Sequence, residues 1–517
     1  MKKLVVIGCG IASIPILKKA KEIDVQTYCF SLSINPAAEG LYDYHYNIDY
    51  YDVKSIVETC RMLCVDGVIA TGENTTASTA IIAKELGLAG NRYQGLFICR
   101  NKYEERKALE DAKYVKQPEY ALYTQGMIPI FPVIVKAIDS SGKRGISIAR
   151  TTEEYHQAVN YAKVASQDDR ILVEQYVDGG LEYSIECISA KGKHQIIQIT
   201  QKDVSGPPHF AELGHHQPGE IEIPYDKLEN AIFEILDKTG VENSLSHVEI
   251  KIKDKDVYFI EIGARGGGDR ISDTLIYLST DFDYYKSAIL VALGEYDFTL
   301  PIRTHFSGIY FLCKQTKSLS PLFEYAKGKS WCKELVIPDG TLSEMKGNND
   351  PRGYLIYQLD HKLTLRDIPF VFSRINNFPN AYSMLCEFTR ISGRQISEDD
   401  MEQGMRKFLD TGNVIGCSFD GHLYGMTNIY CNHTDSADAY LCNLEVLNGY
   451  RGLGLSKQLM NAAYKLIVDK HFSSVSLDVD ISNKIARNLY ENEGFLYTGQ
   501  SKIVNGETLL EMRKYLV

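Results

Sequence analysis

The chain has 517 residues, 44% hydrophobic and 24% charged, with 15 prolines, so it exceeds what one hydrophobic core organises; about three or four folded domains and little disorder are expected. A formal net charge of −11 weighs against nucleic acid as a partner. The 12 cysteines are scattered singly, and the nearest pair, Cys60 and Cys64, lacks the spacing of redox and zinc motifs, so reduced, buried thiols are expected.

Lys2 and Lys3 precede the apolar run Leu4–Ile7, but Gly8 and Gly10 break it, which predicts a first β-strand rather than a signal peptide. An amphipathic stretch from Ala12 to Lys21 follows, giving strand, tight turn and helix. The alternation continues through a strand at Val25–Phe30, a helix near Val53–Cys64, a strand at Gly67–Ala70 and a helix near Thr76–Leu86. Residues 1–101 are therefore expected to form a Rossmann-like α/β domain. The third glycine of the dinucleotide fingerprint is missing, so a structural or substrate-side role fits this turn better than nucleotide binding.

Residues 102–300 change to an α+β pattern, with strands around Ile134 and Ile146, at Ile171–Val177, at Tyr183–Ile188 and across Val248–Ile262. Residues 301–368 form a small β-rich lobe with turns at Pro338-Asp339-Gly340 and Asn348–Gly353. A junction is expected over residues 367–377, near Pro369 and Pro379, and residues 369–517 return to α/β alternation. The whole is an α/β and α+β multidomain chain. No apolar run approaches the roughly 20 residues of a membrane span, so no membrane partner and a cytoplasmic location are expected.

Activating a carboxylate with ATP needs cations for the phosphates, a flexible glycine-rich cover and acids for the accompanying metal. Lys102 opens the second domain, Lys136 ends the strand-like Phe131–Val135, and Ser140-Ser141-Gly142-Lys143-Arg144-Gly145 follows as a loop. Val173-Glu174-Gln175-Tyr176-Val177 is an apolar strand carrying an acid, and Glu182 follows the turn Gly179-Gly180. Such a strand can offer backbone groups to an adenine edge, and a carboxylate can accept from ribose hydroxyls. Alternation places Glu249 with His247 and Lys251 on one face, and Glu261 with Phe259 and Gly263. A hairpin centred on Lys255 would set Glu249 opposite Glu261. Facing carboxylates repel unless something compensates them, and Mg²⁺ or Mn²⁺ would. Gly266-Gly267-Gly268 allows close backbone approach, and Arg265 is placed to hold a carboxylate or phosphate.

On these residues, positions 1–365 resemble the ATP-grasp superfamily, with the flavour of amino-acid ligases and carbamoyl-phosphate-synthetase-like members. The resemblance implies that Lys102 and Lys136 contact ATP phosphates, that Ser140–Gly145, with Ser141, Gly142 and Gly145, is the grasp loop, and that Glu174, Gln175 and Val177 belong to the adenine hinge. It makes Glu182 the ribose acid and Glu249 and Glu261 the metal acids. Gly263 stands where the family often has Asn, which puts a third protein ligand in doubt. Pro208–His215 resembles a segment near the acceptor pocket of amino-acid ligases.

Nearer the C-terminus, the strand-like Leu444-Glu445-Val446 precedes Tyr450-Arg451-Gly452-Leu453-Gly454-Leu455-Ser456 and an amphipathic helix from Lys457 to Asp469. Free N–H groups at a helix start, with glycines before them, make a seat for a pyrophosphate. A strand at Val475–Val479 follows, then Asn483, Ala486 and Tyr490 at helical spacing, then Gly494-Phe495. This order resembles the GNAT acyltransferase superfamily over residues 370–517. The resemblance implies that Arg451, Gly452, Gly454 and Ser456 bind the pyrophosphate of acetyl-CoA, that the strand ending at Val446 splays to admit pantetheine, and that Asn483 hydrogen-bonds the cofactor. Tyr490 is then the general acid and Glu445 the base, directly or through water. The expectation is a bifunctional enzyme joining a small-molecule carboxylate, amino-acid-like, to an amine, and acylating an amino group. The alternative is a ligase regulated by a non-catalytic acyl-CoA-sensing domain. A homodimer is the base-rate expectation.

Overall fold

The computed structural model describes residues 1–516 apart from positions 141, 167, 349, 394–395, 433–435 and 505. Ser141 of the expected grasp loop, and position 349 of the turn expected at Asn348–Gly353, thus lie outside the described residues. The chain divides into two compact units. The first comprises Met1–Lys317 and Ala326–Leu363, the second Ser318–Tyr325 and the described residues from Thr364 onward.

In the first unit a parallel sheet carries Tyr44–Tyr46, Gln26–Phe30, Lys3–Ile7 and Gly67–Ala70 in that spatial order. Leu4–Ile7 is fully buried, as an unbroken apolar run must be when helices cover both faces of a parallel sheet. Those helices are Ile14–Glu22, Val53–Leu63 and Thr76–Leu86; Asp52 caps the second through Ser55 N (3.2 Å), and Gly87, at φ +67°, ends the third. The Rossmann-like expectation is met. Gly8 has φ +91°, and a Cβ there would lie 2.8 Å from Thr71 Oγ1, so the turn requires glycine.

A second, antiparallel sheet orders Tyr120–Leu122, Ile171–Gln175, Val133–Ala137 and Ile146–Ala149, with helix Thr152–Ala165 packed on it. A third has eight strands, from Asp256–Gly263 at one edge through Ser244–Lys253, Leu181–Ala190, Lys193–Val204, Glu212–Gln217, Phe306–Leu312 and Gly353–Leu359 to Cys332–Val336. The β-rich residues after 300 thus extend this sheet, since Phe306–Leu312 pairs with Glu212–Gln217. Helix Tyr225–Thr239 buries Leu228, Ile232 and Ile235 in one core with Val248, Ile250 and Phe259.

The second unit is built on seven strands, antiparallel except where Asp438–Val446 meets Ser474–Asp480. One expectation fails here. Val371–Arg374, placed in a junction on its prolines, is the edge strand of this sheet and pairs with Ile415–Ser418. Pro369 and Pro379 flank that strand without entering its ladder, as an edge position permits. Among the described residues no helix is long and apolar enough to cross a membrane.

Candidate functional site

Ser244–Lys253 and Asp256–Gly263 form a hairpin turning at Asp254 and Lys255, both at positive φ, and its register sets Glu249 opposite Glu261. The expected alternation breaks beyond that pair. Ile250 faces Phe259, so Ile260 is an extra residue, a β-bulge. Phe259 consequently turns into the core, 1% exposed, instead of sharing the face of Glu261. The carbonyl of Ile260 accepts from Arg106 Nη2 at 2.9 Å.

Cations ring the two acids. Lys102 lies 3.3 Å from Glu261 and donates to Ser140 O at 2.7 Å; Lys202 donates to Glu249 at 2.7 Å, and Lys143 lies 3.6 Å from it. Burial opposes ionisation of both carboxyls, but Lys202 and Lys143 hold Glu249 well below the usual range, and Lys102 lowers Glu261. Glu249 Oε2 is buried without a hydrogen-bond partner among the described residues. Beside the acids opens a cleft of about 720 Å³, reached by Lys136, Glu174, Gln175, Val177, Glu182 and Glu261.

The hinge is more committed than the sequence implies. The N–H groups of Gln175 and Tyr176 already bond Glu119 O and Pro132 O at 2.8 and 3.0 Å, and Val177 O accepts from Lys251 Nζ at 3.2 Å. Glu182 pairs with Lys251 at 3.3 Å. Glu174 is 3% exposed and clamped by Arg106 (2.6 Å) and Lys136 (2.5 Å); burial would raise its pKa, yet the two cations hold it at about 2. In the loop, Gly142 and Gly145 have φ of +66° and +68°, and a Cβ on Gly145 would come within 2.6 Å of Ala165 Cβ. Arg265 donates to Glu73 at 3.0 Å and to Gly266 O at 2.8 Å.

In the second unit, Asp438–Tyr440 pairs with Ser474–Ser476 and the register ends there, so the rest of the strand through Glu445 and Val446 parts from its neighbour. Arg451 Nε donates to Val446 O at 3.2 Å, Gly452 and Gly454 take φ of +79° and +81°, and helix Leu455–Asp469, with Ser456 in its first turn, starts from Gly454. Asn483 is corrected: it stands before the helix as its cap, Oδ1 accepting from Ala486 N at 3.1 Å, not on the face of Tyr490. Tyr490 is 8% exposed against Phe495, and burial pushes its phenol up to about 12.

Residues 130–273 match the family model described as an ATP-grasp domain, and residues 379–495 match the acetyltransferase (GNAT) family. The chain carries an ATP-grasp domain followed by a GNAT domain. It is 26% identical over 233 residues to the carbamoyl phosphate synthase large chain of Campylobacter jejuni, covering 43% of this chain and 19% of that one. It is 25% identical over 248 residues to the alanine–anticapsin ligase of Bacillus subtilis, covering 42% and 52%. The chain therefore spans well under two thirds of the length of these relatives. A crystal structure of an L-amino acid ligase from Bacillus licheniformis superposes over 70% of this chain and 94% of its own, with TM-score 0.57 and 19% identity, a likeness of fold.

Around the ATP-grasp acids lie residues that sequence patterns did not single out. Glu186, fully buried, accepts from His247 Nδ1, from Gly267 N at 3.1 Å and from Ser272 Oγ at 3.3 Å. His247 Nε2 sits 3.2 Å from Glu249, and although burial lowers its pKa, Glu186 and Glu249 raise it to about 9. One buried chain thus joins the glycine loop to Glu249. Glu105, three residues after Lys102, is 2% exposed with Oε2 unpartnered, and burial raises its carboxyl to about 8. Glu212, His215 and Asp269 bring ligating atoms within 4.8 Å of one another, but Lys202 at 2.8 Å and Arg352 at 2.7 Å already neutralise the two acids. Glu212 and His215 come from the segment that resembles an acceptor pocket.

Proposed function

We propose that residues 1–368, arranged as 1–101, 102–300 and 301–368, are an ATP-dependent carboxylate–amine ligase, and that residues 369–517 are an acetyl-CoA-dependent N-acyltransferase. The observation that carries the first part is the pair Glu249 and Glu261, directly opposite and ringed by Lys102, Lys143 and Lys202 at the mouth of the hinge cleft. The donor set fits a hard divalent ion: two carboxylates share a face, and one oxygen, Glu249 Oε2, is buried without a hydrogen-bond partner among the described residues. Glu249 and Glu261 would hold Mg²⁺ or Mn²⁺, which when bound neutralises phosphate charge.

A carboxylate oxygen attacks the γ-phosphorus of ATP; that bond forms as the bond to the ADP oxygen breaks, and ADP leaves. The amine nitrogen then attacks the acyl carbonyl, phosphate leaves, and the amine gives up a proton to form the amide. Lys102 and Lys136 orient the phosphates, the loop with Gly142 and Gly145 covers them, and Glu182 accepts from the ribose. Arg265 steadies the carboxylate, and Glu212, His215 and Asp269 border the acceptor amine. Catalysis here is positioning and charge neutralisation. Glu261→Gln keeps the fold and abolishes substrate-dependent ADP release; unchanged ADP formation would overturn the metal assignment.

In the transferase, the glycine turn and helix start at Leu455 seat the pyrophosphate, pantetheine enters where the strand parts beyond Tyr440, and Tyr490 protonates the departing thiolate while Glu445 takes the amine proton. What supports transfer over sensing is Tyr490, a phenol kept protonated by burial against Phe495.

A further inference from the structure

In the first unit a second, narrow cleft lies between the parallel sheet and the eight-stranded one. It opens at the carboxyl end of Gly67–Ala70, where ligands of α/β sheets bind, and Arg265 and Gly266 form one wall. Val68, Ile69, Leu96, Leu245, Ala288 and Val291 supply apolar lining. Most of the polar side chains around it are engaged elsewhere, while Tyr285 adds a phenol to the lining. Thr71 Oγ1 donates to Ile7 O at 2.9 Å, Thr76 to Glu73 O and Thr79 to Thr75 O at 2.8 Å, and Asn91 donates to Ser244 Oγ at 2.9 Å while accepting from Glu242 N and Asn243 N. Inside, then, the cleft is largely apolar. At its wall stands one guanidinium, four residues along the chain from Glu261, its Nε on Glu73 and its Nη1 on Gly266 O.

We infer that this cleft is the side-chain pocket of the donor carboxylate, and that the ligase activates acids bearing a short aliphatic or small aromatic chain, with the carboxylate at Arg265 and the chain between the two sheets. A charged or strongly hydrated chain would lose more hydration here than the Tyr285 hydroxyl can replace. An apolar chain gains about fourfold in affinity for each methylene removed from water. The inference rests on the ligase proposal and would fall with it, but the two fail differently.

The full chain is assayed with MgATP, a homologous series of carboxylic acids and 2-amino acids, and hydroxylamine as capturing amine, reading hydroxamate and ADP together. kcat/KM for hydroxamate should rise along the apolar series by roughly threefold to fourfold per methylene until the cleft is full. Serine- and aspartate-like acids of equal length should trail by at least an order of magnitude. Ala288→Phe should abolish the gain from longer chains, and Ile69→Ala should move the optimum to a longer chain, which guards against misfolding of the larger substitution. Preference for polar chains, or equal effects of both variants on acetate and on long acids, would overturn the pocket and leave the ligase standing. Absence of hydroxamate and ADP with every acid would remove both.

Discussion

Glu186→Gln tests whether the buried link between the glycine loop and Glu249 holds the site together. The carboxylate meets three donors, His247 Nδ1, Gly267 N and Ser272 Oγ, and is fully buried. An amide of the same shape offers one oxygen and turns an NH₂ toward the remaining donor, so one buried donor loses its partner, at about 1–3 kcal/mol. It also leaves the His247 cation with Glu249 alone, and breaking a buried pair from one side costs about 3–5 kcal/mol. Partial relaxation to neutral imidazole should bring the net loss near ~3 kcal/mol. Trp331, the chain's one tryptophan, lies in the first unit, so its fluorescence during urea unfolding reports that unit without interference from the other. Glu186→Gln should lower the midpoint, and Glu186→Gln with His247→Gln should cost less than the sum of the single changes by roughly 1–3 kcal/mol. A midpoint equal to the parent's, or strictly additive singles, would refute the link.

Glu105→Gln should stabilise the first unit at alkaline pH. Burial pushes the folded carboxyl up to about 8 from its ordinary 4.5, so the folded state binds the extra proton between those values and its stability falls as pH rises from 4.5 to 8. The amide removes that slope, and the difference in Trp331 melting between pH 6 and about pH 9 should favour the variant by on the order of 2 kcal/mol; equal slopes would argue against it. Gly145→Ala meets Ala165 Cβ at 2.6 Å from a φ of +68°, so the loop should be displaced and the KM for ATP raised about tenfold or more, with the fold retained. Tyr490→Phe should slow acetyl transfer from acetyl-CoA by about 10²-fold or more, measured as thiol release; wild-type rates at every pH would exclude it as the acid.

The architecture was legible where one period governs a segment. Leu4–Ile7, Gly67–Ala70 and Thr76–Leu86 carry their structure in local pattern, and the hairpin register of Glu249 and Glu261 follows from a charged turn between two alternating runs. The bulge was not legible, because Phe259 and Ile260 are both apolar and either could face the core. Arg106 was hidden for a different reason: on Lys102–Ala108 it stands among Glu104, Glu105 and Lys107 and looks like a solvated helix face, whereas sheets distant in sequence close over it. Glu186 did leave a signal, a lone acid within the buried run Tyr183–Ala190. Asn483 was placed by spacing inside a helix that starts one residue later, a boundary set by its own capping bond.

Ile260 is spliced into the hairpin with no residue set opposite it. Delete that one aliphatic residue and the ladder could close without interruption, with Phe259 still against Ile250 and Glu261 still against Glu249, so the two acids would keep their places. What would go is the carbonyl that accepts from Arg106 Nη2, and a side chain that lines the cleft. The extra residue therefore serves the anchoring of Arg106, and through it Glu174, more than the register, and shortening the chain there should loosen that clamp while leaving the acids face to face.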